Sequence, residues 1–233
     1  MTRKVLVIIP AYNEEENIQW VVEELREKAP LYDYIVVNDG SNDQTAAICY
    51  KNHYPILNLP VNLGLSAAVL SGMRYAIDHQ YDMAIQYDGD GQHRPEYIHL
   101  LSEAVSKGND IAIGSRFVEK DKPVSARMIG SRFLSFFILI TTGKRISDPT
   151  SGMRMYSKEM MKLFISNTNF RPEPDTISFL LHEGFRISEC QVEMRERIAG
   201  TSYLSLFKSV RYMIQMSFSI LLTQGIRRRK IYK

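Results

Sequence analysis

The chain has 233 residues, 45% hydrophobic and 24% charged, the composition of a globular protein able to bury a sizeable core. Its formal net charge of +3 is too small to imply nucleic acid or an anionic membrane by bulk electrostatics, and its basic residues are not interleaved with aromatics along one face, which disfavours nucleic-acid binding. Cys49 and Cys190 lie far apart without CxxC spacing, so they suggest neither a zinc site nor a disulfide framework and fit a reducing cytoplasmic setting.

Met1 is followed closely by Arg3, Lys4 and a short apolar strand, so no signal peptide is expected. Strands are predicted at Lys4 to Ile9, Tyr34 to Asn38, Ile56 to Leu59, Met83 to Tyr87 and Ile111 to Ile113. Helices are predicted between them, at Glu15 to Lys28, Asp43 to Lys51, Ser66 to His79 and Pro95 to Ser106. This alternation is the pattern of βαβ units and a largely parallel sheet. After Gly114 come a basic stretch around Glu119 to Pro123, a helix from about Ser125 to Thr142 and a turn-rich segment, Asp148 to Gly152. A helix near Thr176 to Gly184, a strand near Arg186 to Glu193 and a long helix from about Leu204 to Gly225 follow.

No window reaches the roughly 20 uninterrupted apolar residues that a spanning helix needs. Phe133 to Ile140 and Tyr212 to Gly225 come nearest, and each ends close to basic residues, Lys144 and Arg145 or Arg227 to Lys230. Such stretches can lie on a membrane surface or pack into a core.

Ligands of open α/β sheets bind beyond the carboxyl ends of the strands, so polar clusters at strand exits belong together. Pro10 to Glu15, Asn38 to Asp43, Asn62 to Leu65 and Asp88 to His93 are four such clusters. Asp88 and Asp90 flank Gly89, so a tight turn can aim both carboxylates at one hard cation, Mg²⁺ or Mn²⁺, that also bridges phosphate oxygens. Gln92 and His93 could complete that shell. Asp39 could contact a base or ribose, or Asn38 to Asp43 could form a turn with Asp43 as a helix N-cap. Glu14 is the best ligand candidate in an acidic run that could equally complement a helix dipole.

Taken together with Gly114-Ser115-Arg116-Phe117 and Asp148-Pro149-Thr150-Ser151-Gly152-Met153-Arg154, these clusters resemble family 2 glycosyltransferases. They are most similar to the polyprenyl-phosphate hexosyltransferases, over residues 4 to about 203. The resemblance implies a GT-A α/β fold over residues 1–203, with residues 204–233 as a helix and basic tail for membrane or subunit contact. It implies a nucleotide pocket lined by Pro10, Tyr12, Glu14 and Asp39, with Asp88, Gly89, Asp90 and Gln92 handling metal and diphosphate. Arg116 would face the donor or acceptor phosphate, and Asp148 to Arg154 the sugar. Arg197 and Ser202 match an Arg-x-x-Gly-x-Ser-Lys segment in which Tyr203 replaces the Lys, with Lys208 or Arg211 as substitutes.

The implied reaction is inverting transfer of a hexose from a nucleoside diphosphate sugar to polyprenyl phosphate at the cytoplasmic membrane face. UDP-sugars are slightly favoured over GDP-mannose as donor, and a homo-oligomer is left open. Transfer to a saccharide hydroxyl would instead need a general base among Asp148, Glu173 and Asp175. A lipid phosphate is already an anion and needs positioning by Arg116, Arg127, Arg132 or Arg154. A non-catalytic nucleotide-sugar-binding subunit is the reading from another class.

Overall fold

A computed structural model describes residues 3–123, 126–167, 169–196 and 206–227. β1 (Val5–Ala11) is buried along its whole length, and its residues alternate between two covered faces of the sheet. Leu6 and Ile8 enter one core, and Val5, Val7 and Ile9 the other. β2 (Asp33–Asn38) and β4 (Met83–Gln86) flank β1 in parallel, and β3 (Ile56–Asn58) extends the sheet beyond β2. On the other side β6 (Arg154–Ser157) runs antiparallel between β4 and β5 (Ile111–Ser115), and β7 (Ile187–Gln191) lies parallel to β5. The order is β3-β2-β1-β4-β6-β5-β7.

α1 (Ile18–Lys28), α2 (Thr45–Lys51) and α4 (Ile98–Ser106) cover the Val7 face. Ile18, Val21, Val22 and Leu25 of α1 follow the i, i+3, i+4, i+7 spacing that makes one apolar stripe. The Ile8 face carries α3 (Leu65–Asp78), α5 (Ala126–Thr142), α6 (Lys158–Ser166), α7 (Pro174–His182) and α8 (Leu206–Arg227). α3 approaches β1 so closely that a Cβ on Gly72 would overlap the Ile8 side chain.

α8 is a packed element, since Met213, Met216 and Ile220 join the core that holds Leu134 and Ile138 of α5. The outer faces of the same two helices are apolar too. Phe133, Phe136 and Ile140 of α5 and Phe218 and Leu222 of α8 are exposed, with Arg132, Lys144 and Arg145 exposed on or beside α5. Among the described residues no helix is long and apolar enough to cross a membrane.

The expected βαβ order holds through β5. α1 starts at Ile18 rather than Glu15, because residues 15–17 form turns in which the Glu14 carbonyl accepts the N–H groups of Asn17 and Ile18. α2 starts at Thr45, and Asp43 accepts both the N–H and the hydroxyl of Thr45 from one residue before the N-cap. Pro95 opens a single 3₁₀ turn before α4. β6 and α6 had no sequence expectation. The strand has four residues, all but the last buried, and Ser157 both ends it and caps α6 through its hydroxyl, so neither a period nor a loop separates them.

Candidate active site

Parallel pairing of β1 to β4 brings all four polar strand exits to one edge of the sheet. The exits of β1 and β2 are stitched together. Asn13, with φ of 53°, donates its N–H to the Ser41 hydroxyl at 3.0 Å, and its side-chain oxygen accepts the Asn42 N–H at 2.9 Å. The Glu14 N–H donates to the Thr45 hydroxyl, and the Glu14 carboxylate accepts the Asn17 amide at 2.7 Å. Pro10 lies within buried β1, and Tyr12 is half-buried just beyond it.

Asp39 is 3% exposed, and its two carboxylate oxygens accept the N–H groups of Leu63 and Gly64, each at 2.8 Å. The acid thereby ties the exit of β2 to the loop that starts α3. Gly40 makes the approach feasible: its φ is +66°, and a Cβ there would sit 2.5 Å from the Val61 carbonyl carbon.

Asp88 and Asp90 leave β4 at the boundary with β1, where the direction of chain progression across the sheet reverses. Gly89 passes so close to β1 that a Cβ would lie 3.0 Å from the Pro10 carbonyl oxygen. The Asp88 N–H donates to Nδ1 of buried His93 at 2.9 Å, which leaves that ring nitrogen unavailable to a metal. His93 Nε2 lies 3.8 Å from Asp88 Oδ2, so this ring orients Asp88. Asp88 Oδ1 accepts the Gln86 amide at 2.9 Å, and Asp90 Oδ1 accepts the Gln92 N–H at 3.1 Å. The Gln92 side-chain nitrogen points to the Arg195 carbonyl at 3.5 Å.

Two carboxylates with one residue between them, beside glycines, suit a hard cation that takes most of its ligands from a diphosphate and water, so Asp88 and Asp90 fit Mg²⁺ or Mn²⁺ in chemical type. Among the described residues no group of three or more His, Cys, Asp or Glu could hold a metal on its own.

Residues 148–153 close over this turn, and a Cβ on Gly152 would lie 2.5 Å from Asp88 Oδ2. Arg154, 2% exposed, holds that loop from below by donating to the carbonyls of Ser151, Pro149 and Pro172 at 2.7 to 2.8 Å. Asp148 is fully buried and binds Arg116 through a two-pronged ion pair, Nε to Oδ2 at 2.7 Å and Nη2 to Oδ1 at 3.0 Å. The Glu189 carboxylate takes the N–H groups of Ser147 and Asp148. The two remaining base candidates are also engaged: Glu173 accepts the Ser66 hydroxyl, and Asp175 accepts the Ser219 hydroxyl and the Thr176 N–H.

Sequence reasoning passed over Lys122. Its ammonium donates to the Ser131 and Ser135 hydroxyls at 2.9 and 3.1 Å and lies 5.6 Å from the Phe117 ring centre, a ring also faced by Arg116. Burial pushes its pKa down to about 8, against the opposing pull of Asp148 and Glu189. Arg132 donates to the Lys122 carbonyl. Ser131 and Ser135 stand one helical turn apart in a basic neighbourhood, and that spacing was the available signal. Arg197 and Ser202 lie outside the described residues.

This mostly parallel sheet, with its acidic turn at the β1/β4 boundary, is the GT-A arrangement of a glycosyltransferase. The family described as Glycosyl transferase family 2 matches residues 6–164, and the chain belongs to it. The polyprenol monophosphomannose synthase of Mycolicibacterium smegmatis is 30% identical over 217 residues, covering 88% of this chain and 82% of that relative. The undecaprenyl-phosphate mannosyltransferase of Micrococcus luteus is 33% identical over 217 residues, covering 87% and 88%. Among solved structures, glucosyl-3-phosphoglycerate synthase from Mycobacterium tuberculosis, in complex with Mn²⁺, uridine diphosphate and phosphoglyceric acid, has a TM-score of 0.67 at 17% identity. It covers 97% of this chain and 78% of its own, a likeness of fold.

The contact between Gly152 and Asp88 can be tested directly. Gly152→Ala should push the Asp88 carboxylate aside and lower transferase turnover by about 100-fold, the usual cost of a misplaced catalytic group. The melting temperature should change little, and wild-type turnover in this variant would refute the close contact.

Proposed function

We propose that this chain transfers a hexose from a nucleoside diphosphate sugar to a polyprenyl phosphate, with inversion, at the cytoplasmic face of the membrane. The observation that carries this reading is the cationic cluster of Arg116, Lys122 and Arg132 beside the loop that closes over Asp88, which suits an anionic acceptor. Of the three carboxylates that could serve a hydroxyl acceptor, Asp148 is held by Arg116 in a two-pronged ion pair and Asp175 is buried under Ser219 and Thr176, which leaves Glu173, with one 3.2 Å hydrogen bond from Ser66, as the base of the alternative reading. A phosphate acceptor arrives already ionised, and both relatives named above carry a polyprenyl acceptor in their names. The mannosyl group in both names supports mannose as the transferred sugar, while the nucleotide, UDP as the sequence slightly favoured or GDP, is left to the donor panel below.

In this reading an acceptor phosphate oxygen attacks C1 of the sugar, the new C1–O bond forms opposite the breaking one, and the nucleoside diphosphate leaves with the electron pair. Pro10, Tyr12, Glu14 and Asp39 frame the nucleotide end, with Asp39 holding the 61–64 loop in place. Asp88 and Asp90, with Gln92 beside them, would hold Mg²⁺ or Mn²⁺, which supplies charge neutralisation for the departing diphosphate. Arg116, oriented by Asp148, meets the acceptor phosphate together with Lys122 and Arg132. Arg154 acts through the loop that it holds. Residues 1–203 carry the reaction, and residues 204–233 work with α5 to meet the membrane.

Transfer from radiolabelled GDP-mannose, UDP-glucose and UDP-N-acetylglucosamine to undecaprenyl phosphate tests the reading. Label should enter the lipid phase with wild type and Mg²⁺ or Mn²⁺, and fall to background with Asp90→Ala. Label passing only to saccharide acceptors would show the lipid acceptor to be wrong.

The depressed pKa of Lys122 fixes a sign. Its ammonium is charged below about 8 and neutral above, so kcat/KM for the lipid phosphate should fall as pH rises through that value. Lys122→Arg, which stays charged, should flatten this limb, and coincident profiles would remove Lys122 from the acceptor site.

The apolar outer faces of α5 and α8 predict binding to vesicles containing phosphatidylglycerol. The double substitution Phe133→Ser and Phe136→Ser should abolish co-sedimentation while leaving the melting temperature near wild type, because both rings are exposed. Retained co-sedimentation would place the membrane contact elsewhere.

A further inference from the structure

The turn that carries Asp90 is glycine-rich, since Gly89 and Gly91 flank the acid and Gly91 has φ of 77°. His93 braces it from within, accepting the Asp88 N–H at Nδ1 and the Tyr87 hydroxyl at its carbonyl, and a distant part of the chain braces it from outside. After β7, residues 192–196 run back beside the turn, where the Arg195 N–H donates to the Gln92 carbonyl at 2.9 Å and the Gln92 amide returns to the Arg195 carbonyl. Gln92 in turn gives its N–H to Asp90 Oδ1. The Arg195 side chain fixes this segment to α1 by a two-pronged pair with Glu24, Nη1 to Oε2 at 2.7 Å and Nη2 to Oε1 at 2.6 Å, with the guanidinium 5.1 Å from the Trp20 ring centre. Glu24 is 8% exposed. Burial would raise its pKa, but hydrogen bonds from Arg195 and Lys28 outweigh burial and hold it below the usual carboxylate range.

We propose that Arg195 is a positioning residue for the transfer: pinned to Glu24 on α1, it holds Gln92 and through it the Asp90 carboxylate in the orientation that receives metal and diphosphate. The inference rests on the reading of Asp90 as that carboxylate. A fork-to-fork pair suits such a role, because it fixes the direction of the guanidinium as well as its position, and the indole face beside it limits sliding. Lys28 supplies an internal control. Its ammonium contacts the same Glu24 carboxylate at 2.6 Å but touches neither Gln92 nor residues 192–196, so it shares the ion-pair network without the proposed connection.

Uptake of Mn²⁺ by the full chain, followed by electron paramagnetic resonance with UDP and separately with GDP, reads positioning without turnover. Arg195→Leu should weaken Mn²⁺–nucleotide binding by roughly 10- to 100-fold, the range for outer partners of metal ligands, whereas Lys28→Met should leave it at the wild-type value. Glu24 keeps Lys28 as a partner when Arg195 is removed, so the fold should persist. Arg195→Lys, which keeps a charge but loses the fork, should show an intermediate loss at wild-type melting temperature and covers the case in which Arg195→Leu does not fold. Wild-type binding in the foldable Arg195 variants, or equal losses in Arg195 and Lys28 variants, would overturn the proposal while the donor site stands. A wild-type chain that takes up no Mn²⁺ with either nucleotide would instead overturn the donor site, and this proposal with it.

Discussion

Because β6 runs against its neighbours, its entrance lies at the carboxyl edge of β4 and β5. Residues 148–153, which lead into it, are thereby delivered to the edge where Asp88 emerges. A parallel strand in the same place would have carried them to the opposite end of the sheet. Arg154 stands at this entrance, and a buried guanidinium is costly unless its donors are met. Three carbonyls from two loops meet them, so the charge that makes the position expensive also gathers the loop over Asp88.

Several acidic groups around the site shape the backbone or orient a neighbouring side chain. Asp39 fixes the start of α3, Glu189 fixes residues 147 and 148, and Asp148 fixes Arg116. Each is buried or half-buried and accepts from at least two donors, which offsets the cost of taking a polar group out of water. Asp88 differs in that its hydrogen-bonding partners Gln86 and His93 lie on the strand leading to the turn or within the turn, and its side chain is 27% exposed.

Much of this was legible in the sequence. The apolar runs of β1, β2 and β4 are short, continuous and followed by polar turns, so they signal both a parallel sheet and the edge at which its polar turns gather. The Asp88-Gly89-Asp90 turn was visible for the same reason. β6 and α6 were not, because Arg154 to Ser157 gives no alternation to detect and Ser157 serves strand and helix at once. Nor could local pattern show that Asp148 is committed to Arg116, that His93 spends Nδ1 on a backbone N–H, or that Glu24 meets Arg195. These contacts join residues that only the tertiary fold brings together, and burial decides them.

The cationic rim formed by Arg116, Lys122 and Arg132 bears on how the proposed reaction would end. Asp148 offsets the first of these charges, while Lys122 is held by serine hydroxyls and Arg132 by a carbonyl. A phosphate monoester carries between one and two negative charges at neutral pH, its second ionisation lying near about 6. Once a sugar is attached it becomes a diester with a single charge. The same side chains would therefore grip the incoming lipid more strongly than the glycosylated one, so that the chemical step itself loosens the product and favours turnover over retention.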